Sequence, residues 1–176
     1  MRARNGKLLI VVIALAMVIP TAALAKPPAA PAGDDPVEIT LLHTNDFHGR
    51  LETDYKFRGG SAYLARMVND IRADVGEDNV ALLDAGDAYF AAPAISQLLM
   101  GESTIDIYNM IGYDAAAFGN HEFDKGQEIL AERVAQSEFP WLGANVVLEG
   151  TDWDLPEWAR PYEILEVGGI NLGVLG

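Results

Sequence analysis

The chain has 176 residues, of which 50% are hydrophobic and 22% charged, so it can bury one core and is not compositionally disordered. Its formal net charge of −14 opposes binding to nucleic-acid polymers and anionic membranes unless bound cations change the local sign. The absence of cysteine excludes a disulfide framework.

Residues 1–25 have the three-part layout of a secretory signal: a basic start, an apolar run over residues 8–19 and a small-residue ending at Ala25. An uncleaved membrane anchor is the alternative, but this run is shorter than the roughly 20 residues that span a bilayer. We therefore expect cleavage after Ala25, no stable membrane anchor, and a secreted protein, periplasmic or extracellular. Residues 26–36 are rich in proline and alanine and predict an extended linker.

From residue 37 onward, strand-like and helix-like segments alternate along the chain. Apolar runs of strand length occur at 37–43, 79–87, 114–120 and 141–147. Helical patterns occur at 61–74, 94–103, 104–113 and 127–137, the second ended by Gly101 and the third by Gly112. Residues 162–176 predict a hairpin that turns on Gly168 and Gly169. This alternation favours an α/β layered sheet.

Polar, glycine-containing turns follow the first three predicted strands, with the sequences TNDFHG, DAGD and FGNHEFD. In layered α/β sheets the working residues gather where strands end, so we expect these turns to share one edge of the sheet. Their polar members are metal ligands or acid–base groups: Asp46, His48, Asp87, Asn120, His121 and Asp124. Their convergence predicts a metal site.

The spacing of the first two candidates suits one cation. In an extended segment residues i and i+2 project to the same side, so Asp46 and His48 can offer an oxygen and a nitrogen to the same ion. Such a D-x-H pair is a weak signal alone, and the GD and GNHE sequences after the next two strands strengthen it. The two carboxylate oxygens of Asp87 can bridge two ions about 3.5 to 4 Å apart, a spacing that suits displacement at phosphorus.

The strings LLHTNDFHGRLE, LLDAGDAYF and YDAAAFGNHEFDKG resemble the calcineurin-like metallophosphoesterases, and among them the exported 5'-nucleotidase / UDP-sugar hydrolase branch. The resemblance implies a layered α/β sandwich, two divalent metal ions (Mn, Zn or Co), and hydrolysis of nucleotides by a metal-activated water. Related esterases of nucleotide sugars, cyclic nucleotides or sulfur esters share these motifs and remain alternatives. A non-catalytic metal-binding domain is another alternative.

The resemblance also assigns roles to individual residues. It implies that Asp46 and His48 bind one metal, that Asn120 binds the other, and that Asp87 bridges them. His121 and Asp124 would form a catalytic pair, in which His121 stabilises charge on the phosphate and Asp124 orients and charges the imidazole. A structural role is the alternative for His121.

Three further residues near these motifs receive simpler expectations. We expect His43, on the strand before the ligands, to have a structural role or to contact a ligand residue. We expect Glu122 and Arg50 to face solvent or to form local salt bridges, because nothing in their chemistry requires them in the metal shell.

The sequence also departs from the family pattern. The family completes its metal shells with histidines of later G-H and G-H-x-H segments and holds the nucleotide base with a C-terminal domain, and none of these occurs here. Ala91 stands where a glycine is expected. Residues 37–176 are therefore expected to be the N-terminal part of such a phosphoesterase domain.

We expect residues 26–176 alone to have little or no phosphatase activity, because each metal would lack ligands and an incomplete site would not hold a phosphate against water. The measurement is phosphate release from a nucleoside monophosphate with added manganese, zinc or cobalt. Robust turnover would mean that the chain supplies ligands beyond those named above.

Overall fold

Four parallel strands form the central sheet of the computed structural model, which describes residues 36–54, 56 and 59–176. The predicted signal segment, and all of the predicted linker except Pro36, lie outside the described residues. The strands are β1 (Thr40–Thr44), β2 (Val80–Asp84), β3 (Ala115–Ala117) and β4 (Trp141–Leu142), and they lie in chain order. The register pairs Leu42 with Leu82 and Thr44 with Asp84.

Four α-helices and a hairpin complete the described fold. The helices are α1 (Ser61–Val75), α2 (Ala94–Gln97), α3 (Glu102–Ile111) and α4 (Gly126–Gln136). Single 3-10 turns span Glu77–Asn79 and His121–Phe123, and the antiparallel pair β5 (Tyr162–Val167) and β6 (Ile170–Leu175) forms the hairpin. The predicted α/β class is confirmed. Within the described residues, no helix is long and apolar enough to cross a membrane.

One face of the sheet packs against the helices. Leu42, Leu82 and Trp141 lie on this face and pack against residues of α1, α3 and α4 in one hydrophobic cluster. The helical residues of this cluster include Val68, Ile105, Tyr108, Ile111 and Val134. The alternation along β1 leaves Leu41 52% exposed. Because β1 to β4 are all parallel, their carboxyl ends, and the loops that follow them, lie at one edge of the sheet.

Several predicted elements are shorter than the sequence indicates, including the strands predicted at 79–87 and 114–120, and two others show the physical reason. The predicted strand at 141–147 ends at Leu142, where the Gly143 amide donates to the carbonyl of Arg160 in an isolated parallel bridge and the Ala144 amide donates to the carbonyl of Gly176. The predicted helix at 94–103 ends at Gln97, and the backbone enters left-handed conformations at Met100 and Gly101. These corrections reflect tertiary hydrogen bonds and turns that local periodicity does not report.

His43 lies on the exposed face of β1. Among the residues that the structure describes, its side chain makes no hydrogen bond or ion pair. The expected structural role of His43 therefore has no support in these contacts.

Arg72 joins α1 to the C-terminal end of α3. Its Nη1 donates to the carbonyl of Ile111 and its Nη2 to that of Gly112, each at 2.6 Å. Gly112 has a left-handed backbone (φ 78°) and ends α3 at the predicted residue. A cation on the last carbonyls of a helix is favourable because these groups carry the negative end of the helix dipole.

We predict that Arg72→Met lowers the free energy of unfolding by about 1.5 to 3 kcal/mol, because two carbonyls lose a charged donor. Arg66→Met on the same helix is the control, since the Arg66 side chain is 77% exposed and its ion pair with Asp70 lies on the surface. That control should leave the free energy of unfolding close to the wild-type value. Urea unfolding of both variants measures the difference, and equal losses would contradict the assigned role of Arg72.

Candidate metal centre

Backbone hydrogen bonds join the first loop (residues 45–51, after β1) to the second loop (residues 85–93, after β2). The amides of Asp46, His48 and Gly49 donate to the carbonyls of Gly86, Asp87 and Ala88, at 3.0, 2.9 and 2.8 Å. The pairing of β1 with β2 therefore continues beyond the sheet. As a result, Asp46 and His48 have fixed positions relative to Asp87.

Four non-glycine residues of these two loops have a left-handed backbone. The φ angles are 52° at Asp46, 49° at His48, 60° at Asp87 and 52° at Ala91. Each such residue costs about 1 to 3 kcal/mol, and such strain tends to cluster at functional sites. The expectation that Asp46 and His48 belong to an extended segment is wrong, because the hydrogen bonds to the second loop impose the left-handed conformation. Ala91 occupies a conformation that favours glycine, the residue expected there.

Ligand atoms from three loops converge. One ligand atom each from His48, Asp87 and His121 lies within 4.8 Å of the others, and the two imidazole rings meet edge to face at 5.1 Å. His121 belongs to the third loop (residues 118–125, after β3). Two imidazole nitrogens and a carboxylate oxygen suit a divalent transition metal. The residues present therefore fit a metal ion.

The other two predicted ligands lie beside this group. The Asp46 carboxylate is 62% exposed, and its Oδ1 lies 3.8 Å from His48 Nε2. The side chain of Asn45 donates to Asp46 Oδ2 at 2.6 Å. Asn120 is exposed, and its side chain makes no hydrogen bond within the described part of the chain. The structure thus brings three of the predicted site residues into one group, with Asp46 next to His48 and with Asn120 immediately before His121 in the third loop.

Hydrogen bonds orient both imidazoles. His48 Nδ1 lies 2.7 Å from the carbonyl oxygen of Phe90, and His121 Nδ1 lies 2.8 Å from Asp124 Oδ2. A carbonyl or carboxylate oxygen accepts, so each Nδ1 carries the hydrogen and Nε2 is the free ring nitrogen. The hydrogen bond to Asp124 raises the pKa of His121. The predicted contact between His121 and Asp124 is present.

Glu122 contradicts the sequence expectation of a solvent or salt-bridge role. It is fully buried, and its two carboxylate oxygens accept three backbone hydrogen bonds. Oε2 accepts from the amides of Asp87 (2.8 Å) and Gly119 (2.7 Å), and Oε1 accepts from Ala88 (2.8 Å). Burial raises the pKa of Glu122, and these hydrogen bonds oppose that rise. A glutamate three residues after Gly119 has the spacing of a capping box, which is a sequence signal for its hydrogen bond to the Gly119 amide but not for its bonds to the second loop.

Asp84 is a second buried carboxylate below the loops, and the sequence interpretation did not single it out. It accepts hydrogen bonds from Thr44 Oγ1 (2.6 Å), the Tyr108 hydroxyl (3.0 Å) and the amide of Gly86 (2.8 Å). Burial raises the pKa of Asp84. These contacts connect the ends of β1 and β2 to the start of the second loop.

The second and third loops approach each other at two glycines. A Cβ on Gly86 would lie 2.5 Å from the amide nitrogen of Gly119. A Cβ on Gly119 would overlap Asp87 Oδ1 and lie 2.5 Å from the Asp87 amide nitrogen. The amide of His121 also donates to Asp87 Oδ1 at 2.9 Å. This close approach therefore requires glycine at both positions.

Known proteins share this arrangement of motifs. The family model of the calcineurin-like phosphoesterases matches residues 39–170. A 5'-nucleotidase of Vibrio cholerae is 35% identical over 98% of this chain and 31% of the relative. The 5'-nucleotidase precursor of Thermus thermophilus has a TM-score of 0.65 and 31% identity over 78% of this chain and 28% of that one.

A third match bears on the fold alone. The sulfate thiohydrolase SoxB of Thermus thermophilus has a TM-score of 0.68 at 19% identity, over 81% of this chain and 35% of that one. The chain spans about a third of the length of the relatives that it matches.

We predict that Gly119→Ala separates the second and third loops, because its Cβ would overlap Asp87. Overpacking of this kind costs about 1 to 3 kcal/mol, and the displaced carboxylate should weaken binding of Co²⁺. Gly173→Ala in β6 is the control, since its Cβ would meet only Ile164 at an ordinary 3.7 Å. Thermal unfolding and Co²⁺ titration measure the two effects. Wild-type affinity in Gly119→Ala would contradict the close approach described above.

Proposed function

The chain belongs to the calcineurin-like phosphoesterase family, and on that premise we propose that residues 37–176 carry part of the dinuclear metal centre of an exported enzyme that hydrolyses nucleotides. Two divalent ions, of Mn, Zn or Co, when bound, would activate a water and polarise the phosphoryl group. The matched 5'-nucleotidases support the substrate class. The signal-like sequence of residues 1–25 supports export.

The observation that carries this proposal is the convergence of His48, Asp87 and His121. Their ligand atoms come from three loops that are far apart in sequence and lie within 4.8 Å of one another. Acidic and histidine side chains that serve only solubility have no reason to converge from three separate loops. A divalent ion at this position would also counter the acidic character of the chain where an anionic substrate must approach.

Each residue would contribute according to its hydrogen bonds. His48, held at Nδ1 by Phe90, and Asp46 would bind one ion, Asn120 would bind the other, and Asp87 would bridge them. His121 would donate from Nε2 to the phosphate, while Asp124 keeps the ring oriented and favours its charged form. The geometry is also compatible with His121 as a third ligand. Metal content of a His121 variant distinguishes these two roles.

The alternatives of the sequence analysis have less support. Sulfur-ester chemistry rests on a structural likeness at 19% identity, which bears on the fold alone. Nucleotide sugars and cyclic nucleotides stay alternatives within the same chemistry, and a non-catalytic metal-binding role stays an alternative to it. The matched relatives are about three times as long as this chain. We further propose that the part of them that this chain does not match supplies the remaining metal ligands and the surface that binds the nucleotide base.

We predict that substitutions of Asp87 and His121 differ in their effect on metal content. Asp87→Asn should lower both metal occupancy and kcat, because a neutral group replaces a bridging anion. His121→Asn should leave metal bound and lower kcat by a factor of ~10² or more, as for loss of a group that acts on developing charge. Asp124→Asn should resemble a weaker form of His121→Asn, because the ring remains but loses its orienting partner.

Elemental analysis of this chain gives metal content, and kcat is measured on a longer form that includes the proposed additional ligands. Glu128→Gln, an exposed change on α4, is the control. If His121→Asn removed metal as completely as Asp87→Asn, His121 would be a ligand and its proposed role at the phosphate would be wrong. If the wild-type chain bound no divalent metal, the proposed metal centre would be wrong.

A further inference from the structure

We propose that Glu122 is a positioning residue that assembles the second and third loops before any metal binds. This proposal concerns the same site as the proposed function. Its prediction about metal affinity rests on that proposed function. Glu122 contacts neither metal nor substrate in this proposal. It acts through Asp87, whose amide it holds, and through Gly119, which begins the GNHE segment that carries His121.

The argument begins with the number of donors that one carboxylate satisfies. Three backbone amides point at Glu122, two of them in the second loop (Asp87 and Ala88) and one in the third (Gly119). Oε2 alone receives one amide from each loop, so a single atom connects them. Asp87 is then held at its amide by Glu122 and at its carboxylate by the amide of His121.

The charge and length of the side chain both matter. Glutamine offers one acceptor oxygen, so its NH₂ group would face at least one of the three amide hydrogens, and two donors would oppose each other. Aspartate is one methylene shorter and cannot place its oxygens where those of Glu122 lie without a backbone shift. Only glutamate satisfies all three amides at the observed backbone positions.

Because Glu122 is buried, its carboxylate is stable only when the second and third loops keep their observed conformation. A carboxylate removed from water is unfavourable unless hydrogen bonds replace its hydration, and Glu122 is fully buried. The three amide hydrogen bonds provide that replacement only in the observed loop conformation. That conformation includes the left-handed backbone of Asp87. The buried carboxylate and the strained ligand backbone therefore stabilise each other without a metal ion.

The first experiment measures amide hydrogen exchange by NMR in the metal-free full chain. We expect the amides of Asp87, Ala88 and Gly119 to exchange much more slowly than in an unfolded peptide, because Glu122 holds them in the absence of metal. Unprotected amides at these three positions would overturn the proposal. This measurement needs no variant and no metal, so it also decides the case in which Glu122→Gln fails to fold.

The second experiment compares Co²⁺ binding to the full chain with that of variants. Glu122→Gln should bind Co²⁺ roughly 10- to 100-fold more weakly, the usual effect of losing a group that supports metal ligands, and should alter the visible absorption of bound Co²⁺. The exposed Glu128→Gln should bind as the wild type does. Ile111→Val and Ile111→Ala provide graded losses of stability at the end of α3 that leads into β3, away from the metal loops.

The outcomes separate positioning from general stability. Affinity lost in Glu122→Gln but kept in an Ile111 variant of equal or lower stability supports the proposal. Wild-type affinity and spectrum in Glu122→Gln would overturn it, as would an equal loss in the Ile111 variants. If wild-type chain bound no Co²⁺, the proposed metal function would fail, and amide exchange would still decide whether Glu122 assembles the loops.

Discussion

The candidate metal centre depends on backbone pairing that continues past the carboxyl edge of the sheet. The first loop is fixed to the second by three amide-to-carbonyl hydrogen bonds, and the second is fixed to the third by the carboxylate of Glu122. Ligand positions are thus set by main-chain contacts. The left-handed backbones of Asp46, His48 and Asp87 persist because these contacts offset their conformational cost.

The carboxylates in and below the three loops give the site an acidic character. Asp84 and Glu122 are buried below the loops, while Asp46 and Asp124 lie at the surface of the site. Phosphate esters are anionic, so this concentration of acidic groups opposes their approach unless cations outweigh it. A bound divalent cation, as proposed above, would account for both the acidic groups of the site and the histidines at its centre.

Local and tertiary features of the fold differed in how well the sequence predicted them. Strand and helix alternation is encoded in local periodicity, and parallel strands carry their following loops to one edge, so the convergence of His48, Asp87 and His121 could be predicted. The left-handed backbone conformation of Asp46 could not be predicted, because hydrogen bonds to the second loop determine it. Burial of Glu122 depends on amides 34 and 35 residues earlier in the chain, which no local pattern reports.

The orientation of His121 connects the two roles considered for it. Asp124 accepts the Nδ1 hydrogen, so only Nε2 is free to meet a metal or a phosphate. A metal ligand must be neutral, whereas a charged imidazolium can only donate. The hydrogen bond to Asp124 raises the pKa of His121, and the charges of Asp124, Asp87 and Glu122 act in the same direction. These acidic neighbours favour the charged ring, which can donate from Nε2 to a phosphate oxygen, whereas a nearby divalent cation would favour the neutral ring that a metal ligand requires.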